Sequence, residues 1–366
     1  MKGIEKDYWI YDHNHESIDS ILAHISNIIN FRKVNFALIF SKSEILETLT
    51  HYPEDFHVET KFSESLFTVK VIRSVGKNNY DHAQAVFVRL SVPQLYLLIS
   101  DYKPALFKSL ILKLINFNYP LLSRIFLRNV EIHQIFSSMK RQENIETRIL
   151  RALFYSRLQN DKQDKDLKWT NRQFQEVFDS INEQNGWIRK IGFRSYTIKK
   201  KDISYLTKIF EGSISSDCHF IVRGNFEIYK KYFLFPMIGI IENRFNYLQV
   251  RSKRATDRLS EPLVIRFDEA IFGDKEWNGK FIEIMSEMKN VSITEYHTNP
   301  YIHISLLDYQ DGSSYGIWIV SDDEINIIPQ VRASVASMNR LLSYIYERIK
   351  EGDSIEYKPI ELGVSG

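Results

Sequence analysis

The sequence predicts an α/β protein in which two similar α/β lobes flank a mainly helical middle segment. Three observations predict it. Strand-like and helix-like periodicities alternate over residues 1–117, and the same order of elements returns over 217–350. Between them, 118–216 is dominated by helical spacing and ends in a basic, alternating run. The last stretch, 351–366, is polar, contains Pro and Gly, and reads as a flexible tail.

In the first lobe, "DYWIYD" (7–12) reads as a strand. A helix follows over 17–29, with Ser17 as N-cap and Ile21, Leu22, Ile25, Ile28 and Ile29 on one stripe. "FALIF" (36–40) is a buried-strand pattern and "SEILETL" (43–49) a short helix. "HVETKF", "LFTVKVI", "AVFVRL" and "LYLLIS" are successive strands, and "ALFKSLILKLI" (105–115) returns to helical spacing. The second lobe begins with the strand "HFIVRG" (219–224) and a long helix interrupted near Pro236. The strand "LVIRF" (263–267), a helix over 277–288, the strand "VSITEY" and a hairpin over 301–323 follow. Val335, Met338, Leu342, Ile345 and Ile349 mark a last helix.

The middle segment contains helical spacing at 120–139 and 145–158, a charged linker at 159–168, and a helix at 170–181 capped by Thr170. The run "GWIRKIGFRSYTIKKKD" (186–202) then alternates. Helices followed by a basic hairpin resemble the winged-helix pattern in outline.

The chain has 366 residues, 44% of them hydrophobic and 26% charged, which is the composition of a globular protein with enough length for several cores. The 24 Phe and 20 Tyr predict aromatic packing. A net charge of +2 neither demands nor excludes nucleic acid, so that argument rests on local clusters. The single cysteine, Cys218, excludes an internal disulfide and a multi-cysteine zinc site, and reads as a buried, inert thiol. The most apolar region, "YKKYFLFPMIGIIENRF", has an uncharged stretch of only Tyr232 to Ile241, too short to span a bilayer, and the expectation is a cytoplasmic protein without membrane association.

A local match runs between the lobes: 80–101 aligns without gaps on 301–322, placing Tyr80, His82, Ser100 and Asp101 on Tyr301, His303, Ser321 and Asp322. Two lobes, each with a histidine near the start of a late strand, resemble the bilobal phospholipase-D-like superfamily. That resemblance implies a phosphodiesterase or nuclease in which one histidine attacks phosphorus and the other protonates the leaving group. The family's lysines and aspartates are replaced: Gln84 and Ser305 stand at the lysine positions, and Arg89 and Gln310 at the aspartate positions, with Asp311 one residue away. Without those lysines, little charge remains to hold a dianionic transition state, which implies a degenerate site.

His13 and His15, with Asp12 or Glu16, have the i,i+2 spacing of a zinc pair, but further ligands on later strands are not evident, and the segment also fits a strand-to-helix loop. Arg189, Lys190, Arg194, Lys199, Lys200 and Lys201 form a basic run without an acid, interleaved with Trp187, Phe193 and Tyr196, which suits phosphate contact. Arg251, Lys253, Arg254 and Arg258 form a second basic cluster. No phosphate-binding glycine loop, nucleophile elbow or calcium loop occurs, and no cofactor or metal is expected; Asp311-Gly312 reads as a hairpin turn.

The leading expectation is a non-catalytic protein that binds DNA or RNA or regulates, with lobes for ligand sensing or protein association, including self-association. The alternatives are a phosphodiesterase or nuclease using His82 and His303, in a setting such as prokaryotic defence, and a protein-binding subunit of a larger complex.

Overall fold

A computed structural model describes residues 18–29, 32–49, 55–62, 65–75, 79–143, 145–157, 164–198, 206–252, 261–298 and 301–355. Helices and sheets are mixed, and each strand pairing among these residues is antiparallel. The chain divides into two compact units, Met1–Asn243 and Arg244–Gly366. The boundary falls within the long helix at 226–252, rather than at the sequence-read limits near 117 and 217.

The first unit holds an 11-stranded sheet: β1 (Val34–Ser41), β2 (Phe56–Phe62), β3 (Leu66–Ser74), β4 (Tyr80–Arg89), β5 (Leu95–Ser100), β6 (Leu122–Arg124), β7 (Ile145–Ser156), β8 (Lys165–Gln173), β9 (Gly186–Ile198), β10 (Leu206–Ser215) and β11 (His219–Gly224). Its order is β2-β3-β4-β5-β1-β11-β10-β9-β7-β8, with β6 on β1. The strands of 118–216 therefore continue the first lobe's sheet through β11. The helix expected over 145–158 is the strand β7. Ile145, Thr147, Ile149, Ala152 and Phe154 are all buried on one side of it. Alternation of β-branched and aromatic residues overrides a helical spacing that the same letters also satisfy.

Two apolar layers cover this sheet. On one face, the helical segment 104–117 packs on Ala37, Ile39, Tyr96 and Leu98. On the other, Phe36, Phe193 and Phe220 meet helices at 129–143 and 226–243. Phe193 lies 5.1 Å from Phe136 and 5.6 Å from Phe233, and Phe233 stacks on Tyr229 at 4.9 Å. Such ring contacts add to the burial of large apolar surfaces and account for the aromatic richness of the chain. Pro236 is accommodated by a π-helical turn, Lys230–Leu234, immediately before it.

Gly224 ends β11 at φ 126°, a region that side chains disfavour, and a Cβ there would lie 2.6 Å from the Phe210 Cα. Gly224→Ala is therefore expected to cost about 1–3 kcal/mol from backbone strain alone, with a lowered thermal midpoint as the readout. An unchanged midpoint would contradict this packing.

The second unit holds a six-stranded sheet of β12 (Leu263–Arg266), β13 (Val291–His297), β14 (Ile302–Asp308), β15 (Ser313–Ser321), β16 (Glu324–Pro329) and β17 (Asp353–Ile355), in the order β13-β14-β15-β16-β12-β17. The helices Lys275–Ser286 and Val335–Arg348 belong to this unit. Residues 353–355 of the expected tail form an edge strand on β12; 356–366 lie outside the described residues.

The two sheets share a chain order. In each, a first strand is followed by a short helix and a four-strand meander, the last strand of which returns beside the first. The matched windows occupy different positions in that order. Residues 80–100 are the third and fourth meander strands, whereas 301–321 are the second and third. The expected strand 7–12, and the cap at Ser17, lie outside the described residues.

Candidate anion-binding face

Strand register assembles the candidate site. One row across the first sheet runs Gln173, Arg148, Arg194, Glu211, Arg223; the next runs Lys168, Arg151, Gly192, Ser213, Ile221, Asn35; a third runs Asp166, Leu153, Lys190, Ser215. Cross-strand neighbours share a face, so these residues project from one side, while Ile149, Phe193, Ile191 and Phe220 project from the other into the aromatic core. Over β10-β9-β7-β8 the first side carries no helix among the described residues, and its side chains are half-buried or exposed, whereas at β11 the segment 104–117 covers His219.

This open face holds seven cations (Arg148, Arg151, Lys168, Lys190, Arg194, Lys208, Arg223) against the acids Glu146, Asp166 and Glu211 among the described residues. Arg151 is bidentate to Asp166 at 2.7 Å, Arg148 pairs with Glu146 at 2.8 Å, and Arg194 and Lys208 share Glu211 at 3.1 and 2.9 Å. A cleft of about 520 Å³ opens on this face, lined by Lys33, Pro104, Arg151, Lys190, Gly192 and Ser213 among others. Gly192 leaves its floor without a side chain, and the nearest atom to a Cβ placed there, the Arg151 Cβ, is 3.7 Å away.

Lys190 is the focus of the cleft. The residue as a whole is exposed, yet its ammonium is enclosed enough that burial lowers its pKa. The charges of Lys108, Arg151 and Lys33 lower it further, against an opposing pull from Asp217. Asp217 is itself engaged by Arg124. Among the described residues, Lys33, Lys108 and Lys190 have no carboxylate at ion-pair distance. Beside them His219 is buried under Phe107, their rings 5.3 Å apart, and burial pushes its imidazole down to about 4, so it is neutral at pH 7. Chemically, this is a like-charge cluster that a bound anion would relieve.

The other sequence-predicted residues fall as follows. Arg189 pairs with Asp164 at 3.0 Å. Lys199, Lys200 and Lys201 lie outside the described residues, as do His13, His15, Lys253, Arg254 and Arg258. Arg251 is buried over the Tyr247 ring at 3.5 Å and donates to the Pro262 carbonyl, a structural role. Cys218 is buried, as expected.

His82 and His303 belong to different units. His82 is exposed, with Tyr102 edge-on at 5.7 Å. His303 stacks on Trp318 at 3.6 Å with Tyr296 at 4.8 Å on it, and burial, followed by the neighbouring His297, lowers its pKa. Ser305, at the position of the missing lysine, donates to the Gln330 Oε1 at 3.4 Å. Asp311 accepts from Ser334 and from the Ser313 amide, anchoring the last helix. Asp311-Gly312 forms the expected turn, with Gly312 at φ 74°.

No group of His, Cys, Asp and Glu among the described residues could hold a metal ion, and no helix among them is long and apolar enough to cross a membrane. No family model matches the chain, and no curated protein matches it. Among solved structures, the Helicobacter pylori beta clamp bound to a DNA ligase peptide shows 6% identity over 86% of this chain and 98% of that one. The TM-score is 0.09, too slight a likeness to carry any argument about fold.

Of the cationic face, sequence reasoning reached Lys190 and Arg194. It missed Lys33, Lys108, Arg148, Arg151 and Arg223. The available signal was the alternation of "ETRILRALF", which places Arg148 and Arg151 opposite Ile149 and Ala152 once the segment is read as a strand with one extra residue.

Proposed function

We propose that this chain binds nucleic acid without catalysis, through phosphate contacts on the open face of the first unit's sheet. The observation that carries the reading is the opening of Lys33, Lys190 and Arg151 into one cleft, where neither lysine has a carboxylate at ion-pair distance among the described residues and the charge of Lys108 also acts on Lys190. Exposed aromatic rings are scarce on its rows, so the contacts fit the sugar-phosphate backbone rather than base stacking, and binding is expected to be independent of sequence. The shared chain order of the two sheets supports a second part of the reading, that the two lobes arose by duplication.

Fluorescence anisotropy with labelled single-stranded and duplex DNA and RNA tests the reading. Retention at low salt that falls as salt rises is expected, with single-stranded or duplex preference emerging from the comparison. Absence of binding to every probe at low salt would overturn it.

A further inference from the structure

The cleft on the open face is blocked on one side. Along the row Leu153, Lys190, Ser215, the next strand is β11, where His219 is covered by Phe107 of the helical segment 104–117. Pro104, at the start of that segment, lines the cleft. Toward β7 and β8, the same face continues without a covering helix among the described residues. A chain laid across the face from β8 therefore meets a wall beyond Lys190.

Positive charge is concentrated at that wall. Lys190 comes from β9, Lys33 from the residue before β1, and Lys108 from the helical segment. The charges of Lys33 and Lys108 act on Lys190, and among the described residues no carboxylate lies at ion-pair distance from the three. The nearest acid that acts on Lys190, Asp217, is held by Arg124.

We infer that this blocked end seats a phosphate monoester, presented as the terminal phosphate of a nucleic-acid strand lying along the open face. The inference rests on the proposed nucleic-acid reading. A diester in mid-strand carries one negative charge, whereas a terminal monoester carries about 1.5 to 2 at neutral pH and three oxygens free to accept hydrogen bonds. Three lysines with no carboxylate at ion-pair distance among the described residues gain more from a doubly charged monoester than from a singly charged diester. The wall permits a chain to end there and obstructs its continuation. Arg151 and Lys168, in the row beside, would contact the diesters that follow.

The experiment uses the full chain and one short oligonucleotide in three forms: 5′-phosphorylated, 3′-phosphorylated, and with hydroxyls at both ends. A free nucleoside monophosphate serves as competitor. One phosphorylated form is expected to bind about 10-fold tighter than the hydroxyl form. Lys108→Gln and Lys190→Gln, on separate elements, are each expected to erase that preference. Equal affinity for all three forms overturns the inference and leaves the open-face reading standing, whereas no binding of any form overturns both. A preference that survives both substitutions places the phosphate elsewhere and also overturns it. Competition by the free monophosphate at the affinity of the phosphorylated strand assigns the site to a small ligand and overturns the strand-end form.

Discussion

Reversing Arg151 and Lys190 together, as Arg151→Glu/Lys190→Glu, is expected to weaken oligonucleotide binding by about 100-fold or more at moderate salt. Both residues line the cleft, and neither lies in the aromatic core. Each reversal removes an attraction for phosphate and installs a repulsion. Replacing Arg151 also releases Asp166, its bidentate partner, and leaves that carboxylate uncompensated beside an incoming phosphate. The salt dependence should shrink as well, with the log–log slope losing about 1 for each phosphate contact removed. The double variant Lys42→Glu/Lys61→Glu changes net charge equally at exposed positions of the first unit away from the cleft, and should bind nearly as the unaltered chain does. Equal losses in the two variants would mean that net charge, not this face, governs binding.

Asp308→Ala is expected to lower the stability of the second unit by about 3 kcal/mol, the low end for breaking a buried ion pair. Asp308 is fully buried at the end of β14. Its carboxylate accepts from the Ser337 hydroxyl at 2.8 Å, Arg340 at 2.9 Å and the Gln310 amide at 3.0 Å. Removing it leaves a guanidinium and a hydroxyl without their acceptor near the start of the helix Val335–Arg348, which the neighbouring Ser334 caps by accepting from the Ser337 amide. Arg340 keeps partial contact with solvent, which limits the cost. Urea denaturation measures it, and a loss below about 1 kcal/mol would show that the network contributes little.

The strands β3 and β4 and the hairpin of 301–323 were legible because apolar and polar residues alternate there and Asp311-Gly312 supplies the turn, and β1 and β5 because each is a short apolar run buried on both faces. The strand at 145–156 was hidden. Ile145, Ile149 and Ala152 satisfy a helical spacing, and only pairing with β9 on one side and β8 on the other decides for a strand. The short strand 353–355 was also hidden, because Asp353 and Ser354 carry no apolar pattern and are ordered by pairing with β12. The same limit applied to the site. Lys190 and Arg194 were visible as a local basic run, but the other cations reach the face from β1's approach, the 104–117 segment, β7 and β11. Only sheet order brings those stretches together. The paired histidines show the converse. Tyr80 to Asp101 matched Tyr301 to Asp322 in letters, yet the two windows are different strands of the shared order, and each histidine sits among aromatic rings.

The central claim is that the open face binds nucleic acid through its phosphates. The most direct measurement is the observed binding constant for a labelled single strand as a function of salt concentration. With about four phosphates engaged, log K should fall linearly with log salt at a slope near −3. Binding whose strength does not change with salt would contradict the claim.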